Sequence, residues 1–280
     1  MRTVDTGTIT ETIKRLCVSA NHELNDDLIS ALEEALKREE SPVGRDVLSQ
    51  ILENARISQQ GILPACQDTG ATVVFARIGQ DVRFTGGAFG ESIQKGVSEG
   101  YKGGYLRASM VKDPFQRTNT GDNTPCMIHS EVVAGDALSL TVMAKGGGCE
   151  NQSRIAILTP AAGRQGVIDF VVDVVRQGAA RACPPNIIGV GLGGTFDTCA
   201  LLAKKSLLRP VGSHNEDTIM RELEEELLDR INDLGIGPQG LGGRITALAV
   251  HVEQYPCHIA SLPVAVNVEC HSHRVKSASI

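Results

Sequence analysis

The chemically most suggestive segment of the chain is Pro64–Gly70, with the sequence PACQDTG. Cys66, Gln67 and Asp68 place a thiol, an amide and a carboxylate side by side, and these groups bind metal ions and polar ligands. The segment falls between a predicted helix and a predicted strand, where binding residues are often found. A second interpretation stays open, because Asp-Thr-Gly is a common turn sequence and Cys66 could be a buried packing residue.

Two further polar segments have the composition of ligand-binding loops. Asn119–Pro125, NTGDNTP, consists of turn-forming and polar residues that cannot build a core, and Arg107 precedes it. An arginine can bind a carboxylate through two parallel hydrogen bonds, although a lone arginine is more often a solvated surface charge. Lys145–Asn151 contains three consecutive glycines after a predicted strand, which suggests exposed backbone N–H groups that are directed at an anion.

The eight cysteines of the chain form no CxxC pair, which argues against a zinc ribbon, a ferredoxin or a thioredoxin-type motif. Cys183 is followed by two prolines, as cysteines that ligate clusters often are. Cys270 opens a CHSHR segment near the terminus which, like the polar residues around His258, could simply be solvated surface. If three distant cysteines hold an iron–sulfur cluster, one iron lacks a protein ligand and can act as a Lewis acid.

The composition argues against several classes of function. The 280 residues carry a net charge of −6 without a basic block, so we expect no nucleic-acid partner. No run approaches the roughly 18 apolar residues that span a bilayer, and the first residues lack the apolar region of a signal peptide. We therefore expect a cytoplasmic protein that does not contact a membrane. In that reducing compartment, cysteines bind metals, react or pack more often than they form disulfides.

The spacing of apolar residues predicts a mixed α/β fold, in which helices and strands both occur (mixed α+β). Within residues 1–60, apolar stripes at helical spacing predict helices, for example at Leu28, Leu32 and Leu36. Within residues 61–280, β-branched runs predict strands at 72–78, 138–143, 187–190 and 245–252, and apolar stripes predict helices at 167–175 and 223–231. We expect one domain, 1–280, whose helical N-terminal region (residues 1–60) packs on a mixed sheet body (residues 61–280) that carries the reactive residues.

One motif points to a different function. Gly189–Gly194, GVGLGG, fits the G-x-G-x-x-G pattern of dinucleotide-binding loops and follows an apolar run. That pattern also requires an acidic residue about 20 positions further on, where this chain instead has Lys204, Lys205 and Arg209. The sequence shows no evident βαβ unit around the motif. A nucleotide-dependent oxidoreductase therefore remains a minor alternative.

Taken together, these segments resemble the alpha subunit of class I, iron–sulfur-dependent fumarate hydratases and L-tartrate dehydratases. The resemblance covers nearly the whole chain. Each segment is weakly specific, but their joint order and spacing are highly specific. The segments are GILPACQDTG at 61–70, DPF at 113–115, NTGDNTP at 119–125, KGGG at 145–148, ACPP at 182–185, the stretch 189–197, and CHS at 270–272.

The resemblance implies roles for particular residues. A [4Fe–4S] cluster would be held by Cys66, Cys183 and Cys270. The substrate would be bound by Gln67, Arg107, Gly147 and Gly148, and catalytic roles would fall to Asp68 and His258. Four other cysteines match no ligand position and are expected to be packing residues: Cys17, Cys126, Cys199 and Cys257. Cys149 departs from the pattern, because members of the family often carry serine after the triple glycine.

The resemblance also implies an activity and a partner. The reaction would be the reversible dehydration of a 2-hydroxy dicarboxylic acid, with malate and fumarate as first choice, in the tricarboxylic acid cycle. L-Tartrate is the second choice, and methylmalate and mesaconate are a further possibility. A separate beta subunit would meet the cluster-bearing surface and supply the base that removes the C–H proton, in an α2β2 heterotetramer. A non-catalytic iron–sulfur scaffold or sensor is the alternative of a different class.

Overall fold

The computed structural model describes all of residues 1–280, which form two units. Unit 1 contains Met1–Leu24, Ala55–Gly147 and Arg274–Ile280, and unit 2 contains Asn25–Asn54 and Gly148–His273. Both units therefore take residues from 1–60 and from 61–280, and the division at residue 60 stays a prediction. No helix of the structure combines the length and the apolar character needed to cross a membrane.

The chain contains eight α-helices and ten strands, which confirms the predicted mixed α/β class. In chain order they are β1 (Arg2–Asp5), α1 (Thr6–His22), α2 (Asp26–Arg38), α3 (Pro42–Ser58), β2 (Ala71–Gly79), β3 (Val82–Thr85), α4 (Phe89–Gly103), β4 (Met127–Val133), β5 (Leu138–Lys145), α5 (Gly147–Glu150), β6 (Arg154–Leu158), α6 (Gly163–Gly178), β7 (Asn186–Gly193), α7 (Phe196–Ser206), α8 (Thr218–Asn232), β8 (Ala247–Tyr255), β9 (Leu262–Glu269) and β10 (Val275–Ser279). Each helix and strand predicted from periodicity is present. The short strand β1 ahead of the first helix carries no such periodicity.

Unit 1 contains a four-stranded sheet with the order β10-β5-β2-β4 and a two-stranded sheet of β1 and β3. In the larger sheet, β2 is antiparallel to β5 and parallel to β4. Alternate residues of β2 and β5, such as Val74 and Leu140, face a core that α1 and α4 cover with residues such as Ile13 and Ile93. This period of two buries one face of each strand against the amphipathic helices.

Unit 2 contains a second four-stranded sheet, with the order β6-β9-β7-β8. Here β7 is antiparallel to β9 and parallel to β8. Helices α6 and α8 cover one face, where Ile188 and Val190 of β7 join the core. Because β7 and β8 are parallel neighbours joined through α7 and α8, they do form a crossover unit, and the sequence-based statement that no such unit surrounds Gly189–Gly194 is wrong.

The glycines of the dinucleotide-like motif serve helix packing. Gly189 and Gly191 lie inside β7 and not in the turn after it. A Cβ atom would stand 2.1 Å from the Ala203 carbonyl oxygen at Gly189, and 2.2 Å from the Cys199 carbonyl oxygen at Gly191. Only glycine therefore lets α7 approach this face of the strand so closely. A dinucleotide loop places its first glycines where the strand ends and the helix begins, so the motif has a structural explanation.

Candidate functional site

The Asp68 carboxylate is the centre of a hydrogen-bonded network in unit 1. Asp68 is half-buried and lies in the loop between α3 and β2. Its Oδ2 atom accepts the N–H of Gly147 at 2.8 Å, and its Oδ1 atom accepts the N–H of Gly70 at 3.0 Å. Oδ1 also accepts the Ser109 hydroxyl at 3.2 Å. The triple-glycine loop thus does direct an N–H at an anion, and that anion is a carboxylate of the chain itself.

This environment keeps Asp68 ionised. Burial alone would raise the pKa of the carboxyl group, but the N–H groups of Gly147 and Gly70, the Arg274 guanidinium and the Ser109 hydroxyl together hold it below its usual value. Hydrogen bonds to the charged form favour that form. Asp68 is therefore an anion at neutral pH, suited to orienting neighbouring groups. Its predicted catalytic role stays a prediction.

Arg274 had no assigned role in the sequence, yet it anchors the loop that contains Asp68. Its side chain is 2% exposed. The guanidinium donates to the backbone oxygen of Asp68 and, at 3.0 Å, to Oδ1 of Asn21. The Asn21 carbonyl in turn accepts the N–H of Ala65 at 2.8 Å. A buried arginine needs several acceptors. Here one is the carbonyl of Asp68, two residues after Cys66, and the other is Asn21, which also accepts the N–H of the residue before Cys66. Cys66 itself is half-buried.

The loop Asn119–Pro125 fixes two neighbouring segments in unit 1. Asn123 is fully buried. It donates through Nδ2 to the Gly70 carbonyl at 3.0 Å and accepts the N–H of Ser109 at Oδ1, at 2.8 Å. The Thr69 hydroxyl donates to the Arg107 carbonyl at 2.9 Å. The structure therefore brings together three predicted segments, while the side chains of Arg107 and Gln67 are exposed.

Two of the predicted cluster ligands, Cys183 and Cys270, are neighbours in unit 2. Cys183 is exposed and Cys270, directly after β9, is buried. The Cys183 carbonyl accepts the N–H of His271 at 3.4 Å. The buried Asn186 side chain donates to the carbonyls of Ala182 at 3.0 Å and Glu269 at 3.1 Å, the residues before each cysteine. Sequence reasoning missed Asn186, because nothing in its surroundings distinguishes it from any strand-start asparagine.

Cys149 and Glu269 lie beside Cys270 in unit 2. The thiols of Cys149 and Cys270 each donate to Oε1 of Glu269, both at 3.6 Å. All three side chains are buried, and their potential ligand atoms lie within 4.8 Å of one another, so the group could hold a metal ion. The sequence had singled out Cys149 as a departure without making it a ligand, and Glu269 carried no signal beyond its place before Cys270.

The remaining predicted positions are exposed loop residues or core thiols. His258 is exposed in the loop after β8, and its Nδ1 atom accepts the N–H of Ala260 at 3.1 Å. Gly148, also exposed, accepts a bond from Gln152 at its carbonyl, at 3.4 Å. Burial raises the pKa of the Cys126 thiol to about 12, that of Cys199 to about 11, and that of Cys17 as well.

These three shifts agree with the expectation that Cys17, Cys126 and Cys199 are packing residues, since inert buried thiols keep their protons. The same expectation is wrong for Cys257. That residue is exposed, because it lies in the loop after β8, and its thiol donates to the Ser261 carbonyl at 3.4 Å.

Comparison with known proteins identifies the family. Residues 10–279 match the family model described as fumarate hydratase (Fumerase). The chain therefore belongs to the fumarate hydratase family. This match and the relatives that follow confirm the prediction of a hydro-lyase alpha subunit. A putative L(+)-tartrate dehydratase subunit alpha of Methanocaldococcus jannaschii is 38% identical, with 95% of each chain covered. The L(+)-tartrate dehydratase subunits alpha of Escherichia coli K12 and O157:H7 are 32% and 33% identical, with 95% of this chain and 88% of theirs covered.

Proposed function

We propose that this chain, with a beta subunit, reversibly dehydrates a 2-hydroxy dicarboxylic acid by means of a [4Fe–4S] cluster bound to Cys66, Cys183 and Cys270. The observation that carries the proposal is the Asn186 side chain, which ties together the residues before Cys183 and Cys270. One amide thereby links the backbone segments that carry two of the three cysteines selected by the family resemblance. Such a supporting contact is typical of metal-binding sites.

The chemistry of the donors fits a cluster. None of the eight cysteines is in a disulfide. Cys183 has a φ of 52°, which is unusual for a residue other than glycine; this conformation costs of order 1–3 kcal/mol and persists only where the surrounding structure imposes it. A cluster held by Cys66, Cys183 and Cys270 would leave one iron without a protein ligand and would supply Lewis-acid chemistry for the departure of the substrate hydroxyl group.

The polar residues of the chain would bind and orient the substrate. The Arg107 backbone is fixed by Thr69, while its guanidinium is exposed and suited to a two-point contact with a carboxylate. Gln67 and Gly148 add an exposed amide and an exposed backbone. His258 accepts the N–H of Ala260 at Nδ1, so Nε2 is the ring nitrogen left to donate a hydrogen bond to a substrate oxygen. Asp68, kept anionic, would hold the start of the triple-glycine loop in place through the N–H of Gly147.

A beta subunit would supply the base that removes the C–H proton. The relatives from M. jannaschii and E. coli are named as alpha subunits, which supports a two-subunit enzyme, and we propose an α2β2 assembly in the cytoplasm. Fumarate and malate are our first choice of substrate, as the description of the family model suggests. L-Tartrate is the second candidate, and the names of these relatives favour it.

The test is to produce the chain anaerobically together with its beta subunit, measure iron and sulfide, and assay fumarate, L-tartrate and mesaconate. We expect about four iron atoms per alpha chain, turnover of one dicarboxylate well above the others, and negligible activity of the alpha chain alone. A protein that contains no iron after anaerobic reconstitution, or an alpha chain that is fully active alone, would contradict the proposal. Turnover of L-tartrate without turnover of fumarate would select the second substrate.

A further inference from the structure

The group formed by Cys149, Glu269 and Cys270 has the dimensions of a zinc site. In a tetrahedral site with Zn–S of about 2.3 Å and Zn–O of about 2.1 Å, sulfur and oxygen ligands stand about 3.6 Å apart. Both thiols lie 3.6 Å from Oε1 of Glu269. The two sulfur atoms lie within 4.8 Å of each other, and they would approach to about 3.8 Å around a tetrahedral ion. Only a small side-chain movement is therefore needed.

The backbone around these three residues is held in place by other contacts of unit 2. Glu269 ends β9, its carbonyl accepts a bond from Asn186 at 3.1 Å, and its Oε1 atom accepts the N–H of Cys270 at 3.1 Å. Cys149 lies in the short helix α5. The next residue, Glu150, accepts bonds from Lys204 at 2.5 Å and from Asn267 at 3.0 Å. Ligands on fixed elements lose little freedom when a metal binds.

We propose that the cluster-free chain binds one Zn²⁺ ion through Cys149, Glu269 and Cys270, with water as the fourth ligand. Two thiolates and a carboxylate suit a soft or borderline cation and disfavour Mg²⁺ or Ca²⁺. The two thiols, which donate to Glu269 in the metal-free chain, lose their protons when the ion binds. Zinc binding should therefore release about two protons. The site is distinct from the cluster-ligand set, because Cys149 and Glu269 belong only to it.

Zinc binding and cluster binding would exclude each other. This step of the inference rests on the proposed function, in which Cys270 also ligates the cluster. One thiolate cannot serve both sites, so zinc in the new site would block assembly of the cluster until the ion is removed. The zinc-loaded chain would then be inactive, and its affinity for zinc would depend on Cys149.

Zinc titration of the full-length, cluster-free chain tests the site directly. The chain is chelator-treated and kept anaerobic with a phosphine reductant, and Zn²⁺ affinity is measured by competition with a chromophoric chelator. We expect one ion per chain and at least a tenfold loss of affinity in Cys149→Ser and in Glu269→Gln, with no change in Cys257→Ser. With Co²⁺ in place of Zn²⁺, the thiolate charge-transfer band should fall to about half in Cys149→Ser, because one of two thiolates is lost.

Three outcomes would overturn the proposal: no zinc binding by the wild-type chain, unchanged affinity in Cys149→Ser, or a loss in Cys183→Ser as large as that in Cys149→Ser. The last outcome would place the ion on the cluster thiols. Circular dichroism verifies the fold of each variant, and Glu269→Gln provides a second test if Cys149→Ser is unstable.

Reconstitution with iron and sulfide tests the mutual exclusion. Wild-type chain preloaded with one equivalent of Zn²⁺ should incorporate several-fold less iron than zinc-free chain, whereas Cys149→Ser should incorporate the same amount with or without zinc. Equal iron uptake by preloaded and zinc-free wild-type chain would refute exclusion. An inactive reconstituted enzyme would contradict the proposed function alone, because the zinc titration does not depend on turnover.

Discussion

The two four-stranded sheets have the same succession of strand directions and carry different chemistry at the same end. In each sheet a central strand, β2 or β7, has one parallel neighbour and one antiparallel neighbour. The start of β2 pairs with the end of β5 through Ala71 and Lys145, and the start of β7 pairs with the end of β9 through Ile187 and Glu269. The loop before the central strand and the loop after its antiparallel neighbour therefore meet at one end of each sheet.

In unit 1 that end is organised around an anion, and in unit 2 it is organised around thiols. The loops before β2 and after β5 contribute one cysteine and the Asp68 carboxylate, which backbone N–H groups satisfy. The loops before β7 and after β9 contribute Cys183 and Cys270, and the nearby Glu269 carboxylate accepts bonds from two thiols. Backbone N–H and C=O groups at the end of a strand have no hydrogen-bond partner in the sheet. The side chains of the residues that follow the strand therefore determine which chemistry these backbone groups support.

The largest expected effect comes from removing a thiol that ligates the cluster. Cys183→Ser and Cys270→Ser in unit 2, and Cys66→Ser in unit 1, should each abolish hydratase activity and lower the iron content several-fold, because each removes one of only three protein ligands. Cys257→Ser, which also removes an exposed thiol of unit 2, is the matched control and should retain both. Iron analysis and activity of the anaerobic αβ complex provide the measurement. Full activity in any of the three variants would remove that cysteine from the ligand set.

The next effect concerns stability in unit 2, where Glu39 is the buried counterpart of Asp68. Its Oε1 atom accepts the N–H groups of Glu40, Ser41 and Arg244 at 2.9 Å, and its Oε2 atom accepts that of Ile245 at 2.8 Å. Glu39→Gln points an amide N–H₂ at one of these donors. We expect a loss of about 3 kcal/mol in the free energy of unfolding, the upper range for bonds to a charged group. Urea denaturation measures it. The exposed neighbour Glu40 provides the control Glu40→Gln, and equal stability of the two variants would contradict the prediction.

Asp68→Asn should have a smaller effect on stability, because Asp68 is only half-buried and accepts two backbone N–H groups. We expect a loss of about 2 kcal/mol, since bonds to a charged acceptor contribute about 1.5–3 kcal/mol each but an amide retains one of them. The variant should also lower kcat/KM, because the amide nitrogen that replaces one carboxylate oxygen leaves the N–H of either Gly147 or Gly70 without its acceptor. Asp113→Asn is the control, since Asp113 accepts only local N–H groups, from Phe115 and Gln116. A variant as stable and active as the wild type would show that the anion does not organise this loop.

The pH dependence of that stability difference follows from the lowered pKa of Asp68. A carboxyl group whose pKa is lower in the folded chain contributes its full stability above the unfolded value of about 3.9. The contribution is lost as the pH falls through the lower folded value. The difference between the wild type and Asp68→Asn should therefore be constant above about pH 5 and shrink below about pH 4. Urea denaturation across this range measures it, and a difference that grows on acidification would reverse the assigned direction.

The sequence predicts local elements better than the contacts that join distant segments. Stripes such as Leu28, Leu32 and Leu36 reveal α2 because helix periodicity is written into neighbouring residues. Arg274 looked like a member of a polar terminus, and its burial depends on acceptors at Asn21 and Asp68, more than 200 positions earlier in the chain.

Pattern matching selected the site segments, but it could not show how each residue is used. The glycines at 189 and 191 fit a dinucleotide motif, yet the close approach of α7 explains them. The pairing of Glu269 with Cys149 likewise depends on a fold that brings residues 120 positions apart into contact. Sequence motifs report residue types and local spacing, whereas such roles depend on which strand ends become neighbours.

The smallest expected effect on stability is the loss of the hydrogen bond between Ser109 and Asp68, with a polar contact elsewhere in unit 1 as the comparison. Ser109→Ala removes the 3.2 Å bond to Asp68 and should cost about 1 kcal/mol, the usual net value of one hydrogen bond. In a double-mutant cycle with Asp68→Ala, which removes both carboxylate oxygens, the combined loss should be smaller than the sum by up to ~1 kcal/mol, because both changes remove the same bond. Ser98→Ala, which removes a 3.0 Å bond to Asp122, should be additive with Asp68→Ala. Additivity of Ser109→Ala as well would mean that the Ser109 hydroxyl does not support the anion, and the Asp68 network would then rest on its backbone donors and Arg274.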